Sequence, residues 1–245
     1  MADDKTHIVS AFDEELTRLN NIISQMGGLA ESQLISAIRS IVKRDSELAE
    51  KVILSDHRID VLEQEVQDFV VRFLALRQPM ADDLRHVVTA LKLSNDLERI
   101  GDLAKNIAKR AQVLNQIPPI RPVQVIPNMG KLAQEIIKDV LDAYIEGDAE
   151  KAERVWARDQ EVDDMYNSLF RELLTYMMED PRNITASTHM LFIAKNIERI
   201  GDHATNIAET IYYRLKGEDL PAIGRPTNAA ANFAVVGPKE GHWSK

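Results

Sequence analysis

Eight acidic residues are spaced so that they could act together. They form four i, i+4 pairs, Asp56/Asp60, Glu98/Asp102, Asp159/Asp163 and Glu198/Asp202, and that spacing puts both carboxylates of a pair on one helix face. Grouped carboxylates are the donor set of hard cations such as Mg²⁺, Ca²⁺, Mn²⁺ or Fe³⁺, and they also bind zinc. One pair alone means little. With 39 acidic residues in 245, chance alone produces about six such pairs, most of them on solvated faces.

Register separates these four pairs from chance. If the chain folds back at Pro79, Asp60 lies level with Glu98 and Asp56 with Asp102, because each couple is equidistant from the turn. Around Pro181 the same holds for Asp163 with Glu198 and Asp159 with Asp202. Each half is therefore predicted to gather four carboxylates at one level of two antiparallel helices. Like charges at i, i+4 cost about 0.2–0.5 kcal/mol per pair, and cross-helix neighbours add to that. Either nearby basic side chains (Arg58, Arg99, Arg199 and lysines) or a bound cation must offset the repulsion.

Other residues frame these stripes. Asn106 and Asn206 continue them by one turn, where a carbonyl oxygen could complete a coordination shell or cap the patch. Gly101 and Gly201 sit mid-helix, where glycine costs roughly 0.5–1 kcal/mol against alanine, which implies close helix contact or close approach by a ligand. His86 and His189 read as helix-end or interhelix residues, and the repeat counterpart of His203 is Leu103. There is no Glu-x-x-His motif, no nucleophile elbow and no glycine-rich phosphate loop, so neither di-iron chemistry nor hydrolysis is signalled and the chain is expected not to be an enzyme.

The elements that must position these residues are helical. Apolar residues recur at helical spacing, as in Leu34, Ala37, Ile38, Ile41 and Val42, and strand-like alternation is nearly absent. At an offset of 103 residues Met26, Asp45, Val52, Asp56 and Asp60 fall on Met129, Asp148, Val155, Asp159 and Asp163, and the offset contracts to 100 at Glu98–Asp102 against Glu198–Asp202. The chain is an internal repeat. Three helices are expected per half, over 8–43, 46–77 and 83–113, then 129–146, 148–178 and 184–215. The fold class is thus all-α, a tandem repeat of two antiparallel three-helix bundles. The expected organisation is a tail over 1–7, a first bundle over 8–113, a proline-rich linker over 114–128, a second bundle over 129–216 and a disordered tail over 217–245.

Composition narrows the function classes. The chain is 44% apolar and 28% charged, carries a net charge of −9 and has no cysteine, which excludes disulfides and thiolate sites and suits a reducing cytoplasm. Neither a signal sequence nor a spanning segment is evident. The acidic balance disfavours nucleic acid and argues against a direct phosphate site, with Arg99 and Arg199 the basic residues nearest the stripes.

At Glu98-Arg99-Ile100-Gly101-Asp102 and its copy at Glu198–Asp202, the sequence resembles the PhoU family of phosphate-signalling accessory proteins, over about 8–215. The resemblance implies tandem three-helix bundles whose acidic signatures bind metal ions (Mg, Mn, Fe or Zn) through Asp56, Asp60, Glu98 and Asp102 and through Asp159, Asp163, Glu198 and Asp202. It further implies a cytoplasmic homodimer or higher homo-oligomer that represses the phosphate-starvation response. Its partners would be the ATPase subunit of the phosphate ABC transporter and the phosphate-sensor histidine kinase, which could hold it peripherally at the membrane. Two other readings of the residues are a carboxylate-rich metal-binding or metal-storage protein and a purely structural helical adaptor.

Overall fold

The computed structural model describes residues 2–220. The expected tail over 217–245 lies outside the described residues from 221 on. Eight helices follow one another: α1 (Ala2–Val42), α2 (Ser46–Ser55), α3 (His57–Arg77), α4 (Asp82–Leu114), α5 (Val125–Glu146), α6 (Ala149–Ala157), α7 (Asp159–Glu179) and α8 (Ile184–Lys216). There is no strand among the described residues.

Matching local chemistry ends the corresponding helices of the two halves. Asp45 caps α2 by accepting from the Leu48 N–H at 2.9 Å, and Asp148 caps α6 by accepting from the Lys151 N–H at 2.9 Å. The residue before each cap turns left-handed: Gly147 at φ 66, at little cost, and Arg44 at φ 54, against the steric preference of a side chain. Arg44 is held there because its guanidinium donates to the carbonyls of Asn115 and Ile117 at 2.7 and 2.8 Å.

Four expectations change. The helix expected over 46–77 is broken at Asp56, and the one over 148–178 at Arg158. In the first half, Ser55 Oγ bonds the Val52 carbonyl at 3.0 Å and the His57 ring the Leu54 carbonyl at 2.8 Å, competing with the helical ladder. In the second, the Arg158 N–H donates to the Val155 carbonyl at 3.0 Å, one residue short of the α pattern. The residues expected as an N-terminal tail belong to α1, which begins at Ala2. The linker expected over 114–128 contains a short 3₁₀ turn (Arg121–Gln124) and the first turn of α5, because Pro127 falls where no intrahelical N–H is required.

The long helices α1, α4, α5 and α8 form a central four-helix layer, with α2 and α3 against α1 and α4 on one side and α6 and α7 against α5 and α8 on the other. One apolar core runs through both repeats. It includes Ile23 and Met26 of α1, Leu93 and Ile107 of α4, Ile136 and Val140 of α5, and Ile197 and Ile207 of α8, all fully buried. Helices α4 and α8 cross antiparallel: His203 pairs with Asp96 at 2.9 Å, and Arg110 lies over the Phe192 ring at 4.0 Å. The two repeats are consequently related by a pseudo-twofold, and the helices carrying Glu98 and Glu198 are neighbours.

Close approach of α1 and α5 depends on Gly130, where a Cβ would stand 2.7 Å from Ile38 Cγ1. Gly130→Val is expected to lower unfolding free energy by about 1–3 kcal/mol through overpacking, read as a reduced urea midpoint.

Candidate functional site

Each half brings its acidic pairs to the seam between the helices flanking its proline turn. In the first seam Asp56 occupies the α2/α3 kink and is 3% exposed. Gly101 of α4 lies opposite: a Cβ there would stand 2.7 Å from Ile59 Cδ1, 3.2 Å from Gln33 Oε1 and 3.5 Å from Asp56 Oδ1. Contact between the two elements, rather than a bound ligand, is what this glycine serves.

The cation of the first seam is Lys105. Its ammonium donates to Asp56 Oδ2 and, at 2.8 Å, to Asp102 Oδ1. Arg99 lies 3.2 Å from Glu98 Oε2 and 3.7 Å from Asp102 Oδ2. Burial opposes ionisation of Asp102, yet the bond and charge of Lys105, helped by Arg99, hold its carboxyl below the usual range. Asp56 is raised, because burial outweighs Lys105. Burial, and then the charge of Asp102, pushes Glu98 up to about 7, and its Oε2 is buried with no hydrogen-bond partner. Asp60 is exposed and adds repulsion to both.

The second seam has the same scaffold and a different balance of charge. Thr205 stands where the first seam has Lys105, and its hydroxyl donates to the Gly201 carbonyl at 3.0 Å. Asp159, Asp163 and Asp202 make no ion pair among the described residues. Asp159 Oδ1, buried and without a hydrogen-bond partner, would lie 3.3 Å from a Cβ on Gly201. Burial, then the charges of Asp202 and Asp163, pushes Asp159 up to about 6, and burial likewise raises Asp163. Glu198 is 5% exposed; Lys195 donates to its Oε1, while Oε2 is buried without a partner, and burial raises its pKa.

The structure thus places Asp56, Glu98 and Asp102 in one seam and Asp159, Asp163, Glu198 and Asp202 in the other. Asn106 and Asn206 are exposed at the far end of the stripes, as are Arg58 and Arg199 beside them. Among the described residues no three carboxylate or imidazole groups converge in a position to hold an ion. The donor chemistry of the second seam nevertheless fits a hard cation: its candidate donors are all oxygen, two of those oxygens are orphaned, and three of its carboxylates make no ion pair among the described residues. His86 bonds Asn20 Oδ1 at 2.7 Å, and burial followed by Arg214 pushes it down to about 4, so it belongs to the helix interface.

Sequence reasoning left out Lys105, Lys195 and Gln33. Lys105 has a signal, its position three residues after Asp102, but the repeat comparison hides it because Thr205 replaces it.

Two outcomes follow from these balances. Lys105→Met leaves Asp56 buried without a counter-charge and is expected to cost about 2–4 kcal/mol in urea unfolding at pH 7. For Asp159, a folded pKa above the unfolded one means that folding retains the proton. Its contribution is present at low pH and is lost as pH rises from about 4 through about 6. Asp159→Asn should therefore flatten stability over that window and gain about 1 kcal/mol at pH 8 in metal-free buffer.

Comparison with known proteins agrees with this architecture. The PhoU domain family matches residues 23–111 and 126–211. The chain is 55% identical over 215 residues to a protein of Caulobacter vibrioides named phosphate-specific transport system accessory protein PhoU homolog, covering 87% of this chain and 94% of that one. It is 49% identical over 226 residues to the protein of the same name from Zymomonas mobilis, covering 92% and 95%. Among solved structures it matches the crystal structure of PhoU from Pseudomonas aeruginosa with a TM-score of 0.82 and 39% identity, covering 84% of this chain and all of that one. Two matched domains, one on each of the twofold-related bundles, make this chain a member of the PhoU family.

Proposed function

We propose that the protein is a non-enzymatic accessory regulator of phosphate-specific transport that represses the phosphate-starvation response when phosphate is plentiful. The observation that carries this reading is the pair of acidic seams in twofold-related repeats, within a chain matched along most of its length by accessory proteins of that system. Its partners are the ATPase subunit of the phosphate ABC transporter and the phosphate-sensor histidine kinase, and it works in the cytoplasm as a homodimer or higher homo-oligomer. No helix among the described residues is long and apolar enough to cross a membrane, consistent with a peripheral association through those partners. Nothing in the seams resembles an activated nucleophile, and a helical body of this kind offers long faces to partner helices.

A hard cation (Mg²⁺ or Mn²⁺, with Fe or Zn the other candidates) belongs to this reading as a ligand of the seams. Asp159, Asp163, Glu198 and Asp202 would hold it, and Asp159, Asp163 and Glu198 would give up their raised pKa values as they did so. Asp56, Asp60, Glu98 and Asp102 would do so in the first seam only if Lys105 gave way. When bound, the ion supplies positive charge that ties the α6/α7 kink to α8. Thr205→Lys reproduces the internal cation of the first seam and is expected to reduce Mn²⁺ bound in equilibrium dialysis; unchanged stoichiometry would remove the second seam as a ligand set.

Regulation itself is tested with a phosphate-starvation reporter in phosphate-rich medium. Deletion of the gene is expected to switch the reporter on, and a quadruple Ala variant at Glu98, Asp102, Glu198 and Asp202 to behave like the deletion at normal protein level. A reporter that stays silent on deletion contradicts the regulatory reading and favours the metal-storage one.

A further inference from the structure

The two repeats also differ at a place outside the acidic seams. On the outer side of the second bundle, Arg158 bonds Asp139 at 2.9 Å and Glu135 at 3.0 Å and lies 3.7 Å from Glu161. This network closes α5 onto the α6/α7 kink. At the offset of 103 residues those positions become Ser55, Ser36, Ser32 and Arg58. Every acid of the network is gone, and a cation stands where Glu161 does.

What remains is a groove of about 180 Å³ between α1 and the α2/α3 kink, lined by Ser32, Gln33, Ser36, Lys51, Ser55 and Arg58 among others. Neither Lys51 nor Arg58 makes an ion pair among the described residues. The groove therefore presents two uncompensated cations and three hydroxyls where its twin supplies carboxylates of its own. Gln33, 5% exposed, forms part of the wall and donates from Nε2 to Ser55 Oγ at 3.5 Å.

We propose that this groove is an oxyanion site for a phosphate group. Lys51 and Arg58 supply the charge, and Arg58 the planar fork of donors that suits tetrahedral oxyanions. The hydroxyls of Ser32 and Ser36 supply neutral donors to the remaining oxygens, since that of Ser55 is already donated to the Val52 carbonyl. The anion takes the place that Glu135 and Asp139 fill in the second repeat. The net charge of −9 does not forbid this, because salt screens distant charge over about 8 Å while the two cations act at contact. The site also abuts the first seam: Gln33 reaches from Ser55 in the groove to within 3.2 Å of the Cβ position of Gly101, beside Asp56. It rests on these residues alone, so it can fail without the regulatory reading failing, and the reverse.

The same chemistry is offered by inorganic phosphate and by a phospholipid headgroup, and the experiment separates them. The full-length chain, freed of phosphate, is titrated calorimetrically with inorganic phosphate and, separately, with phosphatidylcholine vesicles containing phosphatidic acid. Two double variants accompany it: Ser32→Glu with Ser36→Asp, which installs the carboxylates the second repeat tolerates, and Lys51→Ala with Arg58→Ala. Circular dichroism confirms that both are folded. Saturable binding of inorganic phosphate, weakened about tenfold or more in both variants, assigns the site to the free anion. Binding of the vesicles only, lost in both variants, assigns it to a headgroup. Binding of neither, or binding that both variants retain, overturns the proposal.

Discussion

A carboxylate withdrawn from water has to be met by a proton, a cation or a set of hydrogen-bond donors, because leaving it charged and alone costs several kcal/mol. Asp56 and Asp159 impose that requirement on the molecule. Both lie where an outer helix breaks, and each faces a glycine of a central helix whose missing side chain lets the two elements touch. The glycines give up helix propensity, the breaks give up ladder hydrogen bonds, and the result is a pair of narrow seams in which acidic groups are crowded and partly dry. The shared core of α1, α4, α5 and α8 supplies the rigidity that makes such crowding possible.

The repeats answer the requirement differently. In the first, Lys105 bridges Asp56 and Asp102, so the seam is largely satisfied from within. In the second, Thr205 cannot, and Asp159 rises to about 6 with an orphaned oxygen. On the outer sides the second repeat surrounds Arg158 with three acids, while the first leaves Lys51 and Arg58 without an ion pair among the described residues. One duplicated scaffold thus presents a seam with surplus negative charge in one half and a groove with surplus positive charge in the other.

Much of this was legible in the sequence. The i, i+4 pairs and their equal distances from Pro79 and Pro181 placed seven of the eight carboxylates in the seams, with Asp60 left exposed, because antiparallel helices joined by a short turn leave little freedom of register. The breaks at Asp56 and Arg158 were hidden, since a local kink in the hydrogen-bond ladder, made by side chains in the first half and by the backbone in the second, barely disturbs apolar periodicity. Lys105 was hidden because comparing repeats draws the eye to what they share, and a compensating cation is what one copy has and the other lacks. Packing of the two bundles into one core is likewise not readable from either repeat alone, as it is made by contact between α4 of one repeat and α8 of the other.

The central claim is that the seams hold partly buried carboxylates of displaced acidity, poised to exchange protons for a cation. The most direct measurement is a ¹³C NMR pH titration of the Asp and Glu side-chain carboxyl carbons, with and without Mg²⁺. Midpoints near 7 for Glu98 and near 6 for Asp159, with the Asp159 midpoint falling when Mg²⁺ is added, are the predicted result. Midpoints for both within the ordinary carboxylate range of about 4, unmoved by Mg²⁺, would contradict it and reduce the seams to solvated acidic surface.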